Sequence, residues 1–382
     1  MSGIYLHIPF CRQKCHYCNF FSVATLRQMP EFVDALLREI GQRRDYLQNQ
    51  EIRTIYFGGG TPSLLEHDSL NRIFEALQQS FFIARDAEIT LEANPDDVNP
   101  DFCSFLKTTP VNRLSMGVQS FFDDDLHYLN RNHSAQQARD AIALVQDAGF
   151  EKITIDLIYG IPGLTEEKWL KNLELFHQTG IGHLSAYALT VEPKTALAQR
   201  IAKGKQAPVN ENESIRHFAL LLQSMEEAGF VHYEISNFAR PGFYSQHNSL
   251  YWLGGHYLGL GPSAHSYNGI SRQWNVAHLG EYLRQAGTEH CIEEKEVLTV
   301  VQRFNEYVMT SLRTSWGCDA EHILNVFGNR YNSYFHQSAQ AFVTEGKLRR
   351  EGERYFLTNK GKLFADGIAS DLFLEEEIPI HG

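Results

Sequence analysis

The run HIPFCRQKCHYCNF, residues 7–20, decides the fold and the chemistry expected of this chain. Its cysteines Cys11, Cys15 and Cys18 share one short loop, which directly follows the apolar, strand-like residues 4–8. A [4Fe–4S] cube has four iron corners, and cysteine thiolates are its usual protein ligands. The spacing C-x3-C-x2-C therefore fits three corners and leaves the fourth iron open to a small molecule.

A zinc knuckle is the alternative for this loop, with His16 or a distant residue as the fourth ligand. Structural zinc is normally closed by four ligands arranged as two close pairs. The other cysteines are solitary, so no second pair is at hand; they are Cys103, Cys291 and Cys318. The spacing thus favours the cluster over zinc.

The composition predicts a soluble protein with about two domains. The chain has 382 residues, is 43% hydrophobic and carries a formal net charge of −12. It has no run near the roughly 18 apolar residues of a membrane span and no secretory pattern at its N-terminus. Closely spaced thiols without disulfide partners fit the reducing cytoplasm. The acidic balance argues against a nucleic-acid partner, because phosphate binding needs clustered Lys and Arg.

Six β-rich runs alternate with helical patterns up to about residue 230, at residues 4–8, 52–57, 87–92, 113–119, 153–158 and 183–189. Six βα units predict an α/β fold with a parallel sheet and helical crossovers, and they fall short of the eight that close a full barrel. We therefore expect a partial (βα)6 barrel over residues 1–230.

The rest of the chain divides into two further regions. Residues 231–290 are rich in Gly, His and Tyr and are expected to be irregular and to pack on the barrel. Residues 291–382 are expected to form a mostly helical, winged-helix-like domain, with a helix beginning near residue 296 and a hairpin over 347–350 and 355–358.

Polar and glycine residues follow successive predicted strands. They are Gly58-Gly59-Gly60-Thr61-Pro62, Glu92, Gln119, Arg131 and Asp156. In parallel α/β folds, ligands gather at the carboxyl ends of the strands, where the cysteine loop also lies. Taken singly, the glycine run can be an ordinary turn, and each polar residue a cap or a surface charge. Together they indicate one ligand site.

This set resembles the radical SAM superfamily. The resemblance implies that Cys11, Cys15 and Cys18 hold the cluster and that S-adenosylmethionine chelates the open iron. The glycine motif would then meet the methionine amino group. Glu92, Gln119, Arg131 and Asp156 match family positions that contact the ribose, adenine or carboxylate.

The branch resembled over nearly the whole chain is the oxygen-independent coproporphyrinogen III oxidase group. The motifs that carry this are YLHIPFC, GGGTPS, GVQSF, DLIYGIPG and YEISNFARPG. The resemblance adds Tyr5, Tyr17, Gly59, Gly60 and Thr61 as cofactor-binding candidates. Two departures weigh against oxidase activity: Phe20 stands where the oxidases carry a further cysteine, and the first strand starts almost at Met1 without their N-terminal extension.

The run HNSLYW, residues 247–252, resembles the H-N-x-x-Y-W motif of the sister group, the radical SAM heme chaperones of the HemW type. In that group the motif is associated with heme, which makes His247 the heme candidate and places Tyr251 and Trp252 against the macrocycle. From the residues alone, the motif can equally be a turn whose aromatic side chains fill core. We take His256 and His265 for ordinary surface or core histidines.

The resemblance implies a cytoplasmic heme chaperone that passes heme to an acceptor hemoprotein, such as a membrane-associated respiratory one. An electron donor such as flavodoxin or ferredoxin would serve the cluster. The rival hypothesis is radical decarboxylation of coproporphyrinogen III. A third, weaker one is a radical enzyme that modifies nucleic acid.

Overall fold

A computed structural model describes residues 1–375 of this protein, and a mixed sheet of twelve strands is its largest element. The strands are β1 (Ser2–Ile8), β2 (Ile52–Gly59), β3 (Ile83–Ala93), β4 (Arg113–Gln119), β5 (Lys152–Tyr159), β6 (His183–Ala188), β7 (Val231–Glu234), β8 (Asn237–Ala239), β9 (His256–Leu260), β10 (His265–Tyr267), β11 (Ser271–Asn275), β12 (Ile292–Val297), β13 (Cys318–Asp319), β14 (Leu348–Glu351) and β15 (Arg354–Leu357). Their order in the large sheet is β12-β11-β10-β9-β1-β2-β3-β4-β5-β6-β8-β7.

The helices cover the sheet and build the C-terminal region. They are α1 (Met29–Gln42), α2 (His67–Ser80), α3 (Pro100–Leu106), α4 (Asp123–Leu129), α5 (Ala135–Asp147), α6 (Glu166–Gln178), α7 (Ala196–Ala202), α8 (Glu211–Glu227), α9 (Gln246–Trp252), α10 (Leu279–Gln285), α11 (Val300–Leu312), α12 (Ala320–Phe327), α13 (Asn329–Thr344), α14 (Asn359–Lys362) and α15 (Ala365–Asp371). Short 3-10 turns lie at Pro62–Leu64, Pro95–Asp97 and Glu289–Cys291. Within residues 1–375, no helix is both long and apolar enough to cross a membrane.

Strands β1 to β6 are neighbours in sequence order and pair in parallel, which confirms the predicted α/β class and the partial barrel. The ends of the crossover helices are marked by residues that favour helix starts and stops. The Thr165 hydroxyl accepts a hydrogen bond from the Lys168 backbone N–H at the start of α6. Gly149 follows α5 with a φ of +83°, a conformation that glycine adopts without steric penalty.

Residues 231–290 are more regular than we expected. They contain five strands and two helices, and they extend the sheet at both edges. Strand β9 pairs in parallel with β1, whereas β8 pairs antiparallel with β6. These strands have only three to five residues each, too few for an alternating pattern to stand out in the sequence.

The C-terminal region has a hydrophobic cluster of its own, which includes Phe304, Phe335, Tyr355 and Leu372. Its helices surround a small antiparallel sheet of order β13-β15-β14. The helix predicted near residue 296 begins at Val300, because β12 pairs with β11 in the large sheet. The three-part domain division stays a prediction, and residues 376–382 of its last part lie outside the described residues.

Glu39 of helix α1 ties the segment after β9 to the barrel. Its fully buried carboxylate accepts hydrogen bonds from the Tyr282 hydroxyl (2.7 Å), the Gly261 N–H (2.8 Å) and the Asn275 amide (2.6 Å). Arg43, also buried, lies 3.7 Å from the same carboxylate. Because all these partners are buried, removing the carboxylate leaves them without an acceptor.

We expect Glu39→Ala to lower the free energy of unfolding by about 3–5 kcal/mol, the usual effect of leaving a buried charge unpaired. Urea denaturation followed by circular dichroism measures this. Glu31→Ala, which removes an exposed carboxylate from the same helix, is the control and should change stability by less than about 0.5 kcal/mol. Equal stability of the two variants would contradict the anchoring role of Glu39.

Candidate functional site

The three cysteines of the loop after β1 lie together at the carboxyl end of the barrel strands. Cys11, Cys15 and Cys18 are free thiols and partly exposed. The base of the loop is closed by Val23, whose N–H donates to the Pro9 carbonyl (2.7 Å) and whose carbonyl accepts from the Cys11 N–H (3.1 Å). All three thiols are thus presented from one short, closed loop, as a cluster site requires.

The glycine run after β2 packs directly against this loop. Ile8 of β1 lies opposite Gly59 of β2 in the parallel ladder, and the Gly60 N–H donates to the Ile8 carbonyl (2.8 Å). A Cβ on Gly60 would lie 2.6 Å from the Phe10 carbonyl oxygen, so no other residue fits without displacing the backbone. The Thr61 hydroxyl lies 3.6 Å from the Cys11 sulfur.

Arg131 is the cation beside the cysteines. Its Nη1 lies 3.3 Å from the Cys15 sulfur, and its Nη2 donates to Asn94 Oδ1 (2.6 Å) and the Gly117 carbonyl (2.7 Å). Its buried Nε has no hydrogen-bond partner in the part of the chain that the structure describes. A fixed cation stabilises a cluster held by thiolates, and the unpaired Nε suits an anionic ligand group. The donor set therefore fits a [4Fe–4S] cluster.

Across residues 1–375, no three His, Cys, Asp or Glu side chains are arranged to hold a single metal ion. Burial raises the pKa of Cys11 and of Cys18 above that of an ordinary thiol. Loading of iron at these thiols would therefore release protons.

A cavity of about 530 Å³ opens next to the cysteine loop, inside the barrel. Its wall combines side chains from six parallel strands, the cysteine loop and the segment after β8: Tyr5, His7, Asn19, Phe20, Phe21, Tyr56, Gly59, Thr90, Glu92, Arg113, Ser115, Thr154, Asp156, Ser185, Tyr187, Ser245, His247, Asn248, Tyr251, Tyr257, Ser263 and His265. This size is typical of a site for a cofactor or small molecule.

The predicted site residues fall into two groups. Tyr5, Gly59, Glu92, Asp156 and His247 line the cavity. The others lie beside the cysteines or at the end of β4: Tyr17, Gly60, Thr61, Gln119 and Arg131.

Gln119 has an unusual backbone. Its φ is +68°, and the β4–β5 ladder shifts register between Met116 and Gln119. Positive φ is uncommon for a residue with a side chain, and both strain and bulges concentrate at functional sites. The bulge redirects the chain at the end of β4, where the sequence predicts a ligand contact.

Glu92 and Asp156 are the two carboxyl groups of the cavity. Glu92 accepts hydrogen bonds from the Tyr56 hydroxyl (2.8 Å) and the Gly59 N–H (3.2 Å), and the Ser115 hydroxyl lies 3.5 Å from Asp156. Burial raises the pKa of each carboxyl to about 7, and the charge of Glu92 adds to the rise at Asp156. The pair titrates near neutral pH and is coupled.

His247 is held by a chain of buried polar contacts. The Glu88 carboxylate accepts the N–H groups of Gln246 (2.8 Å) and His247 (3.1 Å) at the start of α9. Glu88 is itself paired with buried Arg113 at 3.6 Å. This pair fixes the short helix to the barrel interior.

Both ring nitrogens of His247 are engaged by protein groups. Nδ1 lies 2.8 Å from the Thr54 hydroxyl, and Nε2 lies 2.8 Å from the Tyr251 hydroxyl. The ring stacks on Tyr56 with centroids 5.1 Å apart. Burial lowers the pKa of His247 to about 3, so the ring is neutral. Tyr251 lines the cavity, whereas Trp252 does not and packs under the guanidinium of Arg313.

The sequence prediction missed most of the polar barrel interior. Inward positions alternate along the strands, and on β3 they are Glu88, Thr90 and Glu92. An alternation of polar residues within a predicted parallel strand is a usable signal, because such strands are normally apolar on both faces. It would also have identified Arg113 and Tyr56.

The cavity carboxyls predict a dependence of stability on pH. The pKa of Asp156 is about 7 in the folded protein, above its ordinary value of 3.8, so the folded state holds more protons between these values. Its contribution to stability is therefore lost as pH rises through this window. We expect the stability of Asp156→Asn, relative to wild type, to increase by about 1–2 kcal/mol between about pH 5 and pH 8.

Urea denaturation of the ligand-free protein at both pH values measures this change. Asp147→Asn, at an exposed position on α5, is the control and should show no such gain. If the free energy of unfolding changed with pH in the same way for wild type, Asp156→Asn and Asp147→Asn, the elevated pKa of Asp156 would be contradicted.

Two family models match the chain: that of the radical SAM superfamily over residues 5–176 and that of the HemN C-terminal domain over residues 298–364. The chain is also similar to proteins named heme chaperone HemW. Identity is 34% for that of Mycobacterium tuberculosis, with 97% of this chain and 94% of the relative covered. It is 32% for those of Lactococcus lactis and Escherichia coli, each with 98% of both chains covered.

Among solved structures, the coproporphyrinogen III oxidase HemN of Escherichia coli, described as a radical SAM enzyme, has the same fold. Its TM-score is 0.85 at 24% identity, over 97% of this chain and 90% of the oxidase. The relatives above, at 32–34% identity over nearly the full length, are all named heme chaperone HemW. The chain belongs to the radical SAM superfamily and, within it, to the HemW family.

Proposed function

We propose that this protein binds heme on a radical SAM scaffold and transfers it to an acceptor hemoprotein. The observation that carries the proposal is the similarity, at 32–34% identity over nearly the full length, to proteins named heme chaperones. The composition of the cavity wall adds physical support. A respiratory, membrane-associated acceptor, a flavodoxin- or ferredoxin-type electron donor and a cytoplasmic location are parts of the same proposal.

The chain's own residues have distinct tasks in this proposal. Cys11, Cys15 and Cys18 hold three irons of a [4Fe–4S] cluster, which when loaded supplies an open iron for S-adenosylmethionine and one electron. Arg131 balances the thiolate charge at Cys15 and directs its unpaired Nε toward an anionic group.

The remaining candidates position S-adenosylmethionine. Gly59, Gly60 and Thr61 allow its close approach to the cysteine loop, and Glu92 and Asp156 offer acceptors from the cavity wall. Tyr5 lines the same wall. Tyr17 and Gln119 flank the cysteines and the end of β4, respectively.

The cavity wall suits a planar apolar ligand. Tyr5, Tyr56, Tyr251 and Tyr257 present aromatic surface, and Phe20 is 68% exposed at the cavity although it is apolar. Aromatic rings stack readily on a conjugated macrocycle. Phe20 also occupies the position at which the oxidase group has a further cysteine.

The charges of the cavity disfavour the oxidase alternative. Its substrate, coproporphyrinogen III, carries four propionates, whose burial requires paired cations. Among the described lining residues, Arg113 is the cation, and it is already engaged by Glu88, Thr154 and the Phe243 carbonyl. A heme whose propionates stay at the mouth avoids this conflict.

Anaerobic reconstitution with iron and sulfide, followed by heme titration, tests the function. We expect heme to bind stoichiometrically with a shifted Soret band, and no protoporphyrinogen to form from coproporphyrinogen III with S-adenosylmethionine and a reductant. Multiple turnover to protoporphyrinogen would replace the chaperone proposal with the oxidase. Transfer is followed by mixing the heme-loaded protein with an apo-hemoprotein and measuring recovery of the acceptor's spectrum.

The cluster assignment has its own test. Cys18→Ala should abolish the charge-transfer absorbance of the cluster and reduce bound iron and sulfide to background, because three thiolates are needed to retain a cube with an open iron. Cys103→Ala, at a buried thiol on α3 outside the loop, is the matched control and should retain the cluster. Equal iron contents would place the cluster elsewhere.

A further inference from the structure

Three histidines line the cavity, and among them His265 is the one whose imidazole is available to bind a metal. His265 opens β10, is exposed and lines the cavity. No hydrogen bond involves its ring nitrogens within residues 1–375, and its ring stacks on Trp274 with centroids 5.6 Å apart. An exposed, unbonded imidazole beside a cavity can bind a metal without first losing a protein contact.

The other cavity histidines differ in this respect. His7 donates from Nε2 to the Phe21 carbonyl (2.8 Å), and its Nδ1 lies 3.1 Å from the Tyr5 hydroxyl. His247 is bonded at both nitrogens and 1% exposed. For either ring to bind an iron atom, a buried hydrogen bond would have to break, which costs about 1–3 kcal/mol.

The fold fixes the backbone of His265 at the edge of the cavity. Position 259 in β9 needs a glycine, because a Cβ there would overlap the His265 carbonyl group. The next residue, Ser266, is bonded through its hydroxyl to the Gly259 N–H at 3.0 Å. On the other side, His265 pairs with Trp274 of β11. The ring therefore has a defined position at the cavity edge.

The surroundings also favour the neutral ring that metals bind. Partial loss of solvent at the cavity edge, followed by the charge of Arg272, lowers the pKa of His265 below its ordinary value. A neutral imidazole is a common axial ligand of heme iron. Phe20, Phe21 and Tyr257 line the same cavity and offer apolar surface for the macrocycle.

We propose that His265 is the axial ligand of the heme iron in this cavity, and that His247 is a positioning residue that holds Tyr251 and the aromatic wall. The proposal rests on the heme-binding function proposed above. It assigns the metal bond to the segment after β9 rather than to the H-N-x-x-Y-W helix.

Heme titration of the reconstituted full-length protein tests the assignment, with resonance Raman detection of the iron–histidine stretch in the ferrous state. We expect His265→Ala to lose this band and to weaken heme binding by about tenfold or more, equivalent to at least about 1.4 kcal/mol. Added imidazole should restore the band in this variant. His247→Ala should weaken binding while retaining the band.

His256→Ala is the matched control, because His256 lies on neighbouring β9, is bonded to Gln50 and does not line the cavity. It should behave as wild type. The iron content of the cluster should be unchanged in His265→Ala, and thermal unfolding should change little, since the ring makes no hydrogen bond to any residue that the structure describes and loses only its stacking on Trp274.

The possible failures are distinguishable. A histidine band that survives in His265→Ala, or disappears only in His247→Ala, overturns the ligand assignment and leaves heme binding intact. Absence of heme binding by the wild-type protein overturns both this assignment and the proposed function.

Discussion

The parallel pairing of β1 and β2 is the constraint on which the site depends. With Ile8 opposite Gly59, the cysteine loop and the glycine run leave the sheet at the same edge and in contact. The Gly60 N–H donates a hydrogen bond to the Ile8 carbonyl, which joins the two segments. No side chain fits at position 60, because it would overlap the Phe10 backbone. The relative position of the cysteine loop and the glycine run is thereby set by main-chain hydrogen bonds, which tolerate side-chain variation elsewhere.

A second constraint comes from the polar barrel interior. The buried Arg113–Glu88 pair lies inside the barrel, and the Glu88 carboxylate also caps the helix that carries His247. A buried ion pair of this kind contributes little net stability, because desolvation offsets the attraction. The pair does, however, fix the orientation of the short helix whose N–H groups Glu88 accepts. The aromatic wall of the cavity is therefore positioned from inside the barrel.

The cavity combines aromatic surface with two carboxyls whose pKa lies near 7. Such a site can take a sulfonium cofactor and a planar apolar ligand. The HemN-like fold is thus compatible with a different activity, because fold and function are set by different residues.

The sequence alone predicted the βα order and the candidate residues for the cluster and the cofactor, because these follow from local spacing, from family motifs and from the rule that parallel strands end at one edge. It did not determine that residues 231–290 add strands to both edges of the sheet, since pairing between strands three to five residues long is decided by tertiary contacts. It also could not distinguish His247 from His265. Motif membership singles out the first. Only packing shows that its nitrogens are engaged by Thr54 and Tyr251, whereas those of His265 have no hydrogen-bond partner among residues 1–375. Hydrogen-bond partners come from residues distant in sequence, so the availability of a side chain is a property of the folded chain alone.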